Sequence, residues 1–304
     1  MRLAVLADVH GNLPAFEAAL EAARHAAPDL LVIAGDVVNG APDSRACWLL
    51  ARAEADVLLR GNHERYAIDR GTAAGEPEWL GPRFRPLAWT VAELDGLLDD
   101  VRAAPIAASA APGVTVVHAT PSDDHTSFFP WTPDGELTAA FAGVEAELLV
   151  RGHNHLPFHR TLPDGRLLVS VGAVGLALAG RPEAQWALLE RGRSGWRVEH
   201  RSEAYDVAAA LRRFDESGYL DAAGPIGLLF RREVATGAHA LVPFMRFERA
   251  WRAARARDVA GRGDGAAPAD GPEPACAMGP DDGSPADDDA ALEAALRAFL
   301  SPRG

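Results

Sequence analysis

The sequence contains no lysine, and all thirty of its basic residues are arginines. Because alanine is abundant as well, we interpret this bias as a consequence of genomic base composition, although a single arginine can still bind a phosphate. The 43 acidic residues give the 304-residue chain a formal charge of −13. We therefore do not expect the basic surface that nonspecific nucleic-acid binding requires.

Cysteines and long apolar segments are also scarce. Cys47 and Cys276 lie far apart and belong to no metal-binding cluster, so we expect neither a disulfide nor a cysteine-based zinc site. Only five apolar residues separate Arg2 from Asp8, which is too few for a signal peptide. No segment has the length of a membrane span. We expect a cytoplasmic protein that does not bind membranes.

Apolar segments alternate with helical patterns through the first sixty residues. Strands are predicted at residues 2–7, 30–34 and 56–59, with helices at 13–27 and 43–52 between them. This alternation is typical of βαβ units and a largely parallel sheet. Four further strands between residues 158 and 200 are separated by turn signals, which predicts an antiparallel meander in a second sheet facing the first. The expected fold class is α/β, with two sheets inside and helices outside.

The composition of the chain changes after residue 220. We predict a first domain over residues 1–220, a helical extension packed on or beside it over 221–257, a disordered acidic linker over 258–288 and a short tail helix over 289–304. The linker has too few large apolar residues to form a core. The tail helix is expected to dock weakly or not at all. The arginine-rich extension is interpreted as a solvated surface, with a partner- or lipid-binding helix as the alternative.

Five short polar motifs follow apolar segments and contain most of the residues suited to chemistry. They are Asp8-Val9-His10, Gly35-Asp36, Gly61-Asn62-His63-Glu64, His118 and Gly152-His153-Asn154-His155. Each lies at the carboxyl end of a predicted strand, the last two after strands at 114–117 and 147–150. Open α/β sheets bind their ligands at this edge, so we expect the motif residues to converge at the strand ends of the first sheet. Mixed carboxylate, carboxamide and imidazole ligands favour Mn²⁺, Fe²⁺, Ni²⁺ or Zn²⁺ over Mg²⁺, which prefers oxygen ligands. The motifs predict a site for two divalent metal ions, with one histidine left over for acid–base chemistry.

These motifs, in this order over the first two thirds of the chain, resemble those of the calcineurin-like metallophosphoesterases. The resemblance implies a four-layer αββα sandwich of two mixed sheets with flanking helices, here followed by a C-terminal helical extension and a disordered acidic tail. It also implies a specific role for each of the motif residues. Asp8, His10 and His155 would bind one metal ion, Asn62, His118 and His153 the other, and Asp36 would bridge the two. His63 would face the substrate and stabilise or protonate the leaving oxygen.

The resemblance further implies a hydrolase that acts on a phosphodiester or phosphomonoester by attack of a hydroxide held between the metal ions. Two alternatives stay open: a dinucleoside polyphosphate (phosphoanhydride) hydrolase, and a noncatalytic protein that binds partners. The expected substrate is a small phosphorylated or nucleotide-like molecule, with Arg65, Arg151 and His125 as candidate contacts. The C-terminal tail is a candidate for binding a protein partner.

One position departs from the phosphoprotein phosphatases, which residues 8–11 and 60–64 otherwise resemble. Those enzymes have an aspartate three residues after the bridging one, whereas this chain has Asn39. Asn39 cannot serve as the carboxylate that orients His63, so the sequence does not predict the dyad of those enzymes. Residues 41–44 and 152–157 instead resemble the small bacterial and archaeal phosphodiesterases of the same superfamily.

Overall fold

The computed structural model describes residues 1–260 and 285–301. In this part of the chain ten strands form two mixed five-stranded sheets. Apolar residues of both sheets, among them Val5 and Val150, meet in one shared core. Helices cover the two outer faces, so the predicted αββα sandwich is confirmed. Most of the predicted linker, residues 261–284, lies outside the described residues.

The two sheets differ in how their strands are ordered. In chain order the strands are β1 (Arg2–Leu6), β2 (Leu30–Ala34), β3 (Val57–Leu59), β4 (Ala107–Ala111), β5 (Val114–Val117), β6 (Leu148–Arg151), β7 (Phe158–Thr161), β8 (Leu167–Ser170), β9 (Glu183–Gly192) and β10 (Gly195–Ala204). The first sheet has the order β10-β9-β1-β2-β3, and β1, β2 and β3 run parallel, as expected. The second has the order β4-β5-β6-β8-β7, and β5, β6 and β8 run parallel.

The predicted antiparallel meander over residues 158–200 is wrong. Its four strands divide into two hairpins, β7 with β8 in the second sheet and β9 with β10 in the first. β8 pairs with β6, and β9 pairs with β1. Consecutive residues are buried in both strands, Leu168–Ser170 in β8 and Ala184–Leu189 in β9. Because a strand covered on both faces belongs inside a sheet, each hairpin places its most apolar strand against an existing parallel strand.

The helices connect the strands and form the C-terminal part of the chain. They are α1 (Leu13–His25), α2 (Ser44–Glu54), α3 (Asn62–Asp69), α4 (Arg85–Glu93), α5 (Leu98–Ala103), α6 (Asp134–Ala140), α7 (Val207–Glu216), α8 (Tyr219–Thr236), α9 (Leu241–Ala260) and α10 (Pro285–Leu300). Side chains cap the first turns of α1 and α7. The Asn12 side chain accepts a hydrogen bond from Ala15 N in α1, and Asp206 accepts one from Ala209 N in α7.

The tail helix is docked more firmly than its sequence predicts. Leu292 and Ala295 of α10 are completely buried, and they share an apolar cluster with Phe230 of α8 and Phe244 of α9. The sequence shows the helical spacing of α10 but not the surface that receives it, so weak docking is the wrong expectation. The predicted boundary at residue 220 falls within α8, and the domain boundaries remain a prediction. Among the described residues, we find no helix with the length and apolar character that crossing a membrane requires.

Candidate metal centre

The five motifs leave neighbouring strands of both sheets. Asp8, Asp36 and Asn62 follow β1, β2 and β3, whereas His118 and His153 follow β5 and β6. The main chains of the first two motifs are joined directly, because the amide of Asp8 donates to Gly35 O and that of His10 donates to Asp36 O, both at 3.0 Å. The candidate centre therefore lies where the carboxyl edges of the two sheets meet, and not at the first sheet alone.

The predicted ligands form two adjacent clusters. Ligand atoms of Asp8, His10 and His155 lie within 4.8 Å of one another, and those of Asp36, His118 and His153 do the same. Within the first cluster, His10 Nε2 lies 3.0 Å from His155 Nε2. The two clusters adjoin each other, since His10 Nε2 is also 3.9 Å from Asp36 Oδ2. The resemblance implies the same two groups, and metal binding by these residues remains a prediction.

Asn62 completes the second cluster. The atom of its carboxamide that faces the centre lies 3.2 Å from Asp36 Oδ2, 3.1 Å from His118 Nε2 and 3.0 Å from His153 Nδ1. Donor atoms that surround one cation at about 2 Å are separated from each other by about 3 Å. The four side chains therefore fit a divalent cation in both chemistry and spacing.

Three of the histidines are held by carbonyl groups on the side away from the centre. In each, Nδ1 lies 2.8 Å from a backbone oxygen: His10 from Asn39 O, His118 from Ala34 O and His155 from Leu176 O. A carbonyl accepts only from a protonated Nδ1, which leaves the lone pair of a neutral ring on Nε2, facing the centre. This arrangement is common for metal-bound histidine.

The backbone at the centre is strained. Five of the seven predicted ligands have a positive φ, a conformation that costs non-glycine residues about 1–3 kcal/mol each: Asp8 (56°), His10 (50°), Asp36 (51°), His153 (74°) and His155 (56°). Close packing explains why the last motif has a glycine at position 152, since a Cβ there would lie 2.9 Å from Asp8 Oδ2. Strain concentrated at ligands indicates that this geometry serves a function rather than stability.

Glu64 supports the centre in a way that the sequence does not reveal. Its buried carboxylate accepts hydrogen bonds of 2.6–3.0 Å from four backbone amides, those of Asp36, Val37, Val38 and Gly61. Burial, with the nearby Asp36 carboxylate, raises the pKa of Glu64 to about 7. Glu64 thus fixes the second motif against the third, and its place in the Gly-Asn-His-Glu motif is the only sequence signal for it.

Burial has a large effect on the pKa values of the side chains at the centre. It raises the pKa of Asp8 to about 8 and lowers the pKa values of His10 and His153 to about 3. Burial also opposes charge on Asp36 and His118, but their mutual attraction outweighs it. The pKa of His118 is therefore raised to about 9, and that of Asp36 is held well below its ordinary value. Without a bound cation, these two side chains form a buried ion pair.

His63 lies beside the first cluster. A ligand atom of its ring is within 4.8 Å of those of His10 and Asp36, and its backbone amide donates to Asp36 Oδ1 at 2.8 Å. On the other side, His63 Nδ1 lies 2.8 Å from Asn39 Nδ2. The carboxylate of the phosphoprotein phosphatases is thus absent, as the sequence indicates, and a carboxamide contacts His63 at this position.

The loop that contains Asn39 is supported from the C-terminal helices. The hydroxyl of Tyr219 donates to Gly40 O at 2.6 Å. Arg213 Nε donates to Asp43 Oδ1 at 3.0 Å, and this carboxylate is buried. Residues that follow both sheets in the chain thus hold a loop that contacts His10 and His63.

The candidate substrate contacts differ in accessibility. Arg65 forms two hydrogen bonds with Asp124, of 2.7 and 2.9 Å. Arg151 is completely buried, and its guanidinium donates to backbone oxygens of residues 119, 126 and 128, so it anchors the loop beside His153. The His125 side chain is 63% exposed on that loop. Substrate contacts by these residues remain a prediction.

Comparison with known proteins adds to this geometry. The sequence pattern of the calcineurin-like phosphoesterase family matches residues 1–157. A metallophosphoesterase from Sphaerobacter thermophilus has a similar structure, with a TM-score of 0.63, 25% identity, and coverage of 78% of this chain and 100% of that one. A hypothetical protein from Pyrococcus horikoshii, 19% identical, shares the fold with a TM-score of 0.64 over 79% of this chain and 99% of its own.

A curated relative matches a shorter segment. Serine/threonine-protein phosphatase 1 of Salmonella typhimurium is 35% identical over 77 residues, which cover 25% of this chain and 36% of that protein. The chain thus spans about a third of the length of this relative. The family pattern covers more than half of the chain and contains all seven predicted metal ligands. The chain belongs to the calcineurin-like phosphoesterase family.

Proposed function

We propose that this protein is a metal-dependent phosphoesterase that hydrolyses a small phosphodiester or phosphomonoester at a centre for two divalent cations. The observation that supports this most directly is the shared orientation of His10, His118 and His155. Each is held by a carbonyl at Nδ1 and has Nε2 within 4.0 Å of a carboxylate oxygen. A centre built for packing alone would not need three imidazoles aimed at two buried carboxylates.

The predicted ligands divide into two sets with one residue between them. Asp8, His10 and His155 would hold one cation, and Asn62, His118 and His153 the other. Asp36 would contact both, since its Oδ2 is 3.2 Å from His118 Nε2 and 3.9 Å from His10 Nε2. When bound, the two cations would neutralise phosphate charge and lower the pKa of a water so that it becomes a nucleophile. The donor set favours Mn²⁺, Fe²⁺, Ni²⁺ or Zn²⁺.

The charge of the centre explains how an acidic protein would attract an anionic substrate. The carboxylates of Asp8 and Asp36 neutralise only half of the charge of two divalent cations, and the ligating histidines are neutral. The site therefore becomes positive in a protein whose formal charge is −13. His63, beside the first cluster, would stabilise or protonate the oxygen of the leaving group.

The test is reconstitution of the metal-free protein. After removal of metals with a chelator, the protein is loaded with Mn²⁺, Ni²⁺, Zn²⁺ or Mg²⁺, and metal content is measured by mass spectrometry. Hydrolysis of bis-p-nitrophenyl phosphate, p-nitrophenyl phosphate and diadenosine tetraphosphate is then compared. We expect two metal equivalents and turnover of the diester or monoester.

The same experiment separates the alternatives. Turnover of the tetraphosphate alone would indicate a phosphoanhydride hydrolase. Metal binding without turnover of any substrate would favour a noncatalytic member of the family. Asp164→Asn is a suitable control for ligand variants, because this residue lies in an exposed turn and pairs with Arg166.

A further inference from the structure

We propose that Asn39 is a positioning residue that holds the His63 imidazole with Nε2–H directed away from Asn39, ready to donate a hydrogen bond to the leaving oxygen. The proposal rests on the proposed function and deepens it. Asn39 Nδ2 lies 2.8 Å from His63 Nδ1. An amide NH₂ group can only donate, so it selects the ring tautomer in which Nδ1 is unprotonated and Nε2 carries the hydrogen.

The orientation of the Asn39 carboxamide is set by α4. Thr90 Oγ1 lies 3.3 Å from Asn39 Oδ1 and 3.1 Å from Pro86 O, so its hydrogen is shared between these two acceptors, and the contact with Oδ1 favours the orientation that places the NH₂ group beside His63. The Asn39 backbone amide donates to Ser44 Oγ at 3.1 Å. Thr90 and Ser44 are completely buried, and their hydroxyls are 3.4 Å apart. Two fixed hydroxyls thus hold both the main chain and the side chain of Asn39.

The backbone of Asn39 explains why this residue type suits the position. Its φ of +64° is tolerated by glycine, asparagine and aspartate better than by other residues. The carbonyl of the same residue accepts the hydrogen bond from His10 Nδ1 at 2.8 Å. Asn39 therefore joins a predicted metal ligand, through its backbone, to the histidine that would assist the leaving group, through its side chain. A carboxylate, as in the phosphoprotein phosphatases, would require hydrogen on Nδ1 instead.

The orientation of His63 affects how easily the P–O bond to the leaving group breaks. As water attacks phosphorus and the P–O bond to the leaving group opens, negative charge develops on the leaving oxygen. A hydrogen bond from His63 Nε2 would stabilise that charge, and the benefit is larger when the leaving group is a poor one. Loss of the Asn39 contact should therefore slow esters of phenol more than esters of p-nitrophenol.

The test compares Asn39→Gly with the wild-type protein on methyl phenyl phosphate and methyl p-nitrophenyl phosphate. Glycine accepts the positive φ, so this variant removes the side chain while leaving the main chain able to hold His10. We expect kcat on the phenyl ester to fall by about tenfold or more, a much smaller fall on the p-nitrophenyl ester, and an unchanged KM. Metal content should stay at the wild-type value.

Two further variants make the test specific. In a His63→Ala background, Asn39→Gly should have no additional effect, because Asn39 acts through that ring. In the zinc-loaded protein, ¹⁵N NMR should show His63 protonated at Nε2, and Asn39→Asp should move the hydrogen to Nδ1. Thr90→Val should reproduce part of the Asn39→Gly effect, and Thr90→Ser should retain more activity than Thr90→Val.

Failure of the Asn39 proposal can be distinguished from failure of the proposed function. If the wild-type protein hydrolyses no ester, the proposed function fails, while the NMR tautomer still reports on the Asn39–His63 contact. Hydrogen on His63 Nδ1 in the wild-type protein would overturn the proposal. Equal losses on both esters, additivity with His63→Ala, or loss of a metal equivalent would also overturn it, because each points to a merely structural role.

Discussion

His118 Nε2 lies 3.2 Å from Asp36 Oδ2 in a place where neither side chain is exposed to solvent. In the metal-free protein this pair is charged, because the pKa of His118 is raised to about 9. A cation at the same position needs the lone pair that this proton occupies. Protons and metal ions therefore compete for one buried nitrogen, and the competition makes the stability of the metal-free protein depend on pH.

We predict that the metal-free protein loses stability between pH 7 and pH 9. A raised folded-state pKa contributes stability that is complete below the unfolded value and is lost as pH rises through the folded value. For His118 these values are 6.5 and about 9, so its contribution is lost between them; for Asp8 they are 3.8 and about 8, so its contribution declines from pH 3.8 and is fully lost at about pH 8. Urea unfolding at several pH values measures the effect. An equal decline in the metal-loaded protein would contradict this explanation.

Glu64→Gln should weaken both the fold and the centre. A carboxamide offers one acceptor oxygen and turns an NH₂ group toward amides that also donate, so at least one of the four backbone hydrogen bonds is lost. We expect a loss of about 2–4 kcal/mol in the free energy of unfolding and reduced metal content. Glu78→Gln, at an exposed acid between α3 and α4, is the control and should leave both quantities near wild type.

Asp36→Asn should lower metal content and turnover more than replacement of any single histidine ligand by glutamine. Asp36 is the one predicted ligand that would contact both cations, whereas each histidine would contact one. We expect a loss of turnover of at least about a hundredfold, with fewer than two metal equivalents. A variant that keeps two equivalents and only slightly reduced turnover would show that Asp36 does not bridge.

Leu292→Ala should destabilise the protein by about 2–5 kcal/mol, as expected for truncation of a buried leucine. Leu292 is completely buried in α10, whereas Leu300 at the end of the same helix is 43% exposed. Leu300→Ala is therefore the matched control and should change the free energy of unfolding by less than about 0.5 kcal/mol. Equal effects of the two substitutions would indicate that α10 is not docked.

Truncation after Val259 separates stability from chemistry. The seven predicted ligands lie between residues 8 and 155, far from α10 in the chain. We expect lower thermal stability, because α10 leaves an apolar surface uncovered, with metal content and turnover close to those of the full chain. A large change in KM instead would identify the tail as a lid over the centre.

The sequence predicted the centre better than the sheets. Asp8 and His10 follow a short apolar strand at positions two residues apart, and this local pattern specifies where their side chains must lie. The partners of β8 and β9 are not local, because a turn signal is the same whether a hairpin extends its own sheet or joins another. Pairing with strands that are distant in the chain determines which sheet β8 and β9 join. The only indication of this pairing was their consecutive residues that are buried on both faces.

The orientation of the Asn39 side chain also could not be predicted from the sequence. From the sequence it lacks the carboxylate of related enzymes, and nothing nearby suggests a substitute. Its orientation depends on Thr90, which is 51 residues away in α4. Glu64, by contrast, stands within a recognisable motif, but its four amide partners become apparent only when β2 and β3 are placed side by side.

The contact between Tyr219 and Gly40 spans 179 residues, and translation proceeds from one end of that interval to the other. Gly40 is therefore synthesised long before Tyr219. Until Tyr219 has been synthesised, the loop beside His10 and His63 lacks this hydrogen bond. The predicted metal ligands all lie before residue 156 and are therefore also synthesised before Tyr219. The loop beside the candidate centre can therefore gain this support only after residue 219 has been synthesised.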